Sequence, residues 1–257
     1  MKISFWTKFG IGVKSYLDAF KFVFNNGLWV YFFYPVIIAI LMFIGGYALI
    51  EMLSEEIEAM VMGYFESDAT GWTSILTGFL SFFIGIAFKI LFFFIYSTFS
   101  KYILLIVMSP IMALLSEKTD EIITGNKYPF KMEQFVRDVF RGIAIALRNM
   151  FIEFGIIIGS FFFMWIPVVG WLMPIVLLII SYYYYGFSMI DYTSERRRLK
   201  IKESIRYIRN NKGLAIGNGF IFALLFSIPL FGGMLASVVA PVAATIAVFE
   251  LEKKSDQ

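Results

Sequence analysis

Residues 154–190 read FGIIIGSFFFMWIPVVGWLMPIVLLIISYYYYGFSMI and hold no charged side chain in 37 positions. Residues 213–249, GLAIGNGFIFALLFSIPLFGGMLASVVAPVAATIAVF, repeat that over another 37. Each run is broken near its middle by one short phrase, Ile166-Pro167-Val168-Val169-Gly170 in the first and Ile228-Pro229-Leu230-Phe231-Gly232 in the second. A soluble domain of 257 residues lacks the interior to cover two such runs. A bilayer supplies the cover. The mid-run break then means that the chain enters the membrane, turns at proline and glycine, and returns.

The composition agrees with an integral membrane protein: 60% hydrophobic and 16% charged, against about 25% charged in an average soluble chain. Cysteine and histidine are both absent. That excludes disulfides, Cys or His zinc sites, thiol nucleophiles, Ser-His-Asp triads and histidine proton relays. No general base is paired with a nucleophile and no cofactor motif is present, so an enzyme reading finds no support. The first 26 residues hold four lysines among aromatics and no small-residue cleavage site. The first apolar run, from Gly27, is therefore read as a permanent span rather than a signal peptide.

The expected architecture is all-α, with two long transmembrane helices plus two Pro/Gly-tipped helical hairpins in a single polytopic membrane domain, residues 1–257. Residues 1–26 form an amphipathic segment with Phe5, Phe9, Tyr16, Phe20 and Phe24 between Lys8, Lys14 and Lys21. It either lies in the membrane interface with its lysines snorkelling outward or is an ordinary juxtamembrane segment. Asn25-Asn26-Gly27 gives it a C-terminal stop. Residues 27–50 are a first span, with Pro35 kinking it or marking its first turn. An acidic loop, 51–71, carries Glu51, Glu55, Glu56, Glu58, Glu66 and Asp68 and no basic residue. Residues 72–116 are one long span continuing beyond the bilayer, interrupted by Lys89 and Lys101 and broken at Ser109-Pro110.

The hairpins occupy 151–190 and 213–249. Their first arms, 151–166 and 213–228, would be ~24 Å long at ~1.5 Å per residue, short of the ~30 Å of hydrocarbon. Re-entrant hairpins that stop inside the membrane are therefore preferred over paired full spans. Each hairpin follows a basic helix, 131–149 and 195–212, so the two look like an internal repeat, an arrangement that places ligand sites at the repeat interface in many transporters. Lys+Arg against Asp+Glu runs 4 to 1 in residues 1–26, 0 to 6 in 51–71, 6 to 5 in 116–150 and 8 to 3 in 191–212. The excess of basic residues on one side puts both termini in the cytoplasm of a cell-membrane protein.

Several landmarks fall in one order along nearly the whole chain. Gly27-Leu28-Trp29-Val30 with Pro35 opens the first span. Met108-Ser109-Pro110-Ile111-Met112-Ala113-Leu114-Leu115-Ser116-Glu117 is followed by Gly125. Asp191-Tyr192, Ile228-Pro229 and Pro241-Val242-Ala243-Ala244-Thr245 come last. In these features the chain resembles the CysZ-type sulfate permeases, a family that includes the eukaryotic etoposide-induced membrane proteins. The resemblance implies two long transmembrane helices with two hemi-penetrating hairpins, a homo-oligomer, and passive or channel-like entry of sulfate. It also implies an arginine after Gly-Leu that helps bind sulfate. This chain has Trp29 and Val30 there, and two apolar side chains cannot replace a guanidinium.

The candidate anion-binding residues are Gly27 and Leu28, whose backbone N–H groups open a helix, with Lys89 and Arg198. Lys89 is an ionisable group within an apolar run and so a functional candidate; alternatively it snorkels or pairs with a carboxylate such as Glu153. Arg198 belongs to the most basic stretch, Arg196 to Lys212, which either grips anionic lipid headgroups or concentrates anions at a pore mouth. Asp191 and Glu117 are candidate partners for these arginines. Its position between two membrane hairpins argues against nucleic acid as a partner. Gly213, Gly217 and Gly219 are expected to permit close helix packing. No metal site is expected.

Overall fold

The computed structural model describes residues 3–63, 71–127, 132–166, 169–228 and 231–256. Among these residues every regular element is helical. In chain order they are α1 (Phe5–Asn25), a 3-10 turn (Leu28–Phe32), α2 (Phe33–Gly63), α3 (Trp72–Thr124) and α4 (Met132–Met164), then α5 (Val169–Arg196), α6 (Ile201–Asn210), α7 (Lys212–Phe226) and α8 (Gly232–Ser255). Five of them, α2, α3, α4, α5 and α8, contain a stretch long and apolar enough to cross a membrane. The chain divides into two compact units, residues 36–105 and residues 1–35 with 106–257. The tip residues Pro167, Val168, Pro229 and Leu230 lie outside the described residues.

Three helices run further than the sequence pattern predicts. Helix α2 continues through the acidic stretch to Gly63 instead of giving way to a loop at Glu51. Two of the acids, Glu51 and Glu58, meet partners on α3. Lys89 lies 3.1 Å from Glu51, Ser81 Oγ donates to Glu58 at 2.5 Å, and Gly85 leaves the space that the Glu58 carboxylate fills. Farther along, Tyr96 donates to the Met42 carbonyl, and its ring sits where a Cβ on Gly46 would be. The rungs 42–96, 51–89 and 58–81 make α2 and α3 antiparallel.

Helix α3 continues through Pro110 rather than ending there and counts 53 residues. Helix α4 joins the basic segment to the first arm of the first hairpin in one 33-residue helix, ~50 Å long. No proline or cap falls between Arg148 and Phe154, and Glu153, the last charge, accepts a hydrogen bond from Ser181 on α5. The ~24 Å arm of the sequence reading is thus part of something twice as long. The second hairpin differs. Helix α7 is separate from α6 and has only 15 residues, ~22 Å.

In the larger unit, α8 is the centre. It buries Ala236 to Thr245 continuously, with Ala247, Val248 and Leu251 beyond, and packs on α1, α5 and α7. Helix α1 starts at Ser4, whose hydroxyl accepts the Thr7 N–H, and ends at Asn26 before Gly27 at φ 71°. Its buried face is Ile11, Gly12, Ser15, Tyr16, Ala19 and Val23. Of the aromatic stripe only Tyr16 is on that face. The reason is the partner: α7 approaches so closely that small residues must line the seam. A Cβ on Gly217 would stand 2.3 Å from the Phe9 carbonyl, and one on Gly219 only 1.7 Å from that of Tyr182 on α5. Lys8 does not snorkel outward. Its ammonium donates to Asn211 Oδ1 at 2.6 Å and to the Asn210 carbonyl at 3.1 Å, closing the C-terminus of α6, and burial lowers its pKa.

Candidate functional site: the base of the hairpins

The four sequence-predicted residues do not form one cluster. Gly27 adopts the left-handed conformation and Leu28 opens the 3-10 turn, where its side chain is buried while Trp29 and Val30 are exposed. The Gly27 N–H already reaches the Phe24 carbonyl at 3.5 Å. Lys89 is in the smaller unit, bound to both Glu51 oxygens at 3.1 and 3.2 Å, so its carboxylate partner is Glu51 and not Glu153. The Lys101 side chain lies outside the described residues. Arg198 is exposed in the turn between α5 and α6.

That turn is built from hydrogen bonds that end a helix. Arg198 N–H donates to the Glu195 carbonyl at 2.8 Å and Leu199 N–H to the Ser194 carbonyl at 3.1 Å, a paired 5→2 and 6→1 pattern that needs a left-handed residue at the Arg198 position. Arg198 takes it, at φ 58°, a conformation that costs a residue with a Cβ on the order of 1 kcal/mol. The turn redirects the chain into α6, whose first backbone N–H groups would otherwise lack partners. Glu203 compensates: its carboxylate accepts the Lys200 N–H at 2.8 Å.

Three charged pins hold this region, none with the partners expected from the sequence. Arg196 Nε is 3.3 Å from Asp120 on α3, both side chains about 95% buried. The same guanidinium donates to the Ser116 carbonyl and, at 2.8 Å, to its hydroxyl, which in turn meets Thr245 of α8 at 2.9 Å. Arg141 of α4 donates to Asp191 of α5 at 3.2 Å and to the Leu199 carbonyl, while Ser204 of α6 donates to the same Asp191 oxygen. Arg197 makes a two-pronged contact with Glu252 of α8, which raises the Arg197 pKa. In these pins Arg196 meets Asp120 and Arg197 meets Glu252, whereas Asp191 pairs with Arg141. The arginine contacts link residues 50 to 80 positions apart (Arg141–Asp191 by 50, Arg196–Ser116 by 80), and no local signal announces them.

Outside the pins lies an open cavity of about 600 Å³ lined by Arg141, Lys200, Ile201, Lys202, Glu203 and Arg206. Four cations face one carboxylate. Such a surface attracts anions and raises their local concentration.

The family described as Sulfate transporter CysZ/Etoposide-induced protein 2.4 matches residues 15–246. The chain belongs to that family. Among relatives, "Sulfate transporter CysZ" of Vibrio parahaemolyticus is 26% identical over 178 residues, covering 67% of this chain and 70% of the relative. "Sulfate transporter CysZ" of Pseudomonas fluorescens is 24% identical over 127 residues, 49% of this chain and 51% of that protein. The family match includes the turn after α1, the Arg196–Asp120 and Arg141–Asp191 pins and most of α8, so the Trp29-Val30 departure falls inside the matched part of the chain.

Proposed function

We propose that this protein is a multi-pass permease or channel of the cell membrane for a small inorganic anion, with sulfate the first candidate. The observation that carries the reading is the CysZ-family match across residues 15–246. The gathering of Arg141, Lys200, Lys202 and Arg206 around one cavity supports it, because a doubly charged anion leaving water requires charge-assisted donors. Gly27, Leu28 and Arg198 remain proposed anion contacts, and so does Lys89, in balance with Glu51. Proteoliposomes loaded with and without the protein should differ in uptake of labelled sulfate; equal uptake ends the sulfate reading.

Both units are read as one polytopic membrane domain, with α2 and α3 as the two long spans and α4–α5 and α7–α8 as hairpins that turn inside the bilayer. The 15 residues of α7 favour this for the second hairpin. Charge asymmetry supports cytoplasmic termini, the basic stretch from Arg196 to Lys212 supports contact with anionic lipid headgroups, and the resemblance stated above supports a homo-oligomer. Depth is testable because the chain has no cysteine. Gly232 is a poor probe site, since a Cβ there would stand 2.4 Å from the Leu225 carbonyl. Trp171 and Phe231 are both exposed. Trp171→Cys and Phe231→Cys should resist a membrane-impermeant maleimide in intact cells, and ready labelling of both would leave full spans instead.

A second reading, a structural or envelope-biogenesis protein that keeps the fold without transport, is favoured by Trp29 and Val30. Trp29→Arg separates the two: sulfate uptake appearing only in that variant identifies a natural non-transporter.

A further inference from the structure

We propose that the cavity at the start of α6 is a binding site for a tetrahedral oxyanion, the phosphate of an anionic lipid headgroup or free sulfate. Its inner wall is Arg141, held in place by Asp191 and the Leu199 carbonyl, with its buried Nε–H unpartnered. The outer wall is Lys200, Lys202 and Arg206 on the first two turns of α6. Among residues whose side chains are described, Lys202 and Arg206 have no ion-pair partner. The single acid, Glu203, accepts the Lys200 N–H and is outnumbered by Lys200, Lys202 and Arg206. Helix α6 adds the positive end of its dipole on the same side.

The position fits either source. Helix α6 joins two apolar helices, α5 and α7, at the level where the chain leaves its uncharged runs, which is headgroup level for a membrane protein. The inference stands on the cavity and not on the transport reading, and binding is read at equilibrium rather than as flux.

The full chain is reconstituted in nanodiscs of phosphatidylcholine alone and of phosphatidylcholine with phosphatidylglycerol. In the first, sulfate is titrated against chloride at constant ionic strength with melting temperature as the readout. In the second, retained phosphatidylglycerol is counted by native mass spectrometry after release from the disc. The test variant is K202Q/R206Q, both exposed positions, and K253Q/K254Q at the end of α8 is the control. A sulfate-dependent rise in melting temperature that is about tenfold weaker in K202Q/R206Q, the loss expected for removing charge-assisted contacts, identifies a free-anion site. Retained phosphatidylglycerol that K202Q/R206Q loses, without a sulfate response, identifies a headgroup site. The proposal is overturned if the test variant matches the natural protein in both arms or if the control loses as much. Should K202Q/R206Q fail to fold, K202Q alone is read by the same criteria.

Discussion

The helix pairs α4–α5 and α7–α8 share a Pro/Gly phrase between their helices and similar apolar content, yet sit in opposite surroundings. In α8, 72% of the apolar stretch is buried by protein, against 12% in α4 and 22% in α5. The α7–α8 hairpin is a core built from alanine, valine and glycine. The α4–α5 hairpin shows Phe161, Phe162, Trp165 and Trp171 to its surroundings and is held by protein mainly at its base. Hydropathy does not distinguish these cases, because lipid and protein interior are equally apolar solvents for a side chain. Residue size does. Small residues mark the helix that other helices must approach, and phenylalanine and isoleucine mark the one left uncovered by its own chain.

The contrast can be broken most forcefully at the base. Asp120→Ala leaves the buried Arg196 without its carboxylate, and an uncompensated buried charge costs about 3–5 kcal/mol; the melting temperature in detergent should collapse or the protein fail to accumulate. Next is the glycine seam. Gly219→Leu forces a side chain against the Tyr182 carbonyl and is expected to cost about 3 kcal/mol, the upper end of overpacking. The matching change Gly159→Leu in α4, where a Cβ meets nothing within 4 Å, should leave melting unchanged. Equal losses in the two would refute the contrast in packing between α7 and α4.

Arg198→Gly probes the turn between the hairpins. It relieves the left-handed strain and should raise stability by about 1 kcal/mol, visible as a higher melting temperature; if sulfate uptake falls at the same time, the guanidinium has a role that the backbone does not need. The smallest expected effect is Trp171→Ala at the exposed start of α5, within ~0.5 kcal/mol in detergent as for other unburied positions.

Much of this was legible in the chain itself. Asn26-Gly27 ends α1 where capping chemistry predicts, Pro35 falls in the first turn of α2, and the glycines of α7 pack as close contacts. The misreadings have a common cause. Glu51 reads as the start of an acidic loop with Glu58 inside it, because a carboxylate in an apolar run is costly alone; both are instead matched across the α2–α3 pair, by Lys89 and Ser81. A single sequence gives the cost of such a residue but not the partner that offsets it. For the same reason the Arg–Asp pins and the cation-lined cavity assemble from segments whose contacts only folding brings together.

The glycine seam also constrains how this chain can change over generations. At Gly219 and Gly186 the neighbouring backbone occupies the place of any side chain, 1.7 Å and 1.9 Å from where a Cβ would be. Even alanine requires two helices to separate, and one separation disturbs α1, α5 and α7 together. Related chains should therefore keep both positions invariant, or alter them jointly along with the spacing of α5 and α7, while Phe161 and Phe162 drift freely among apolar residues.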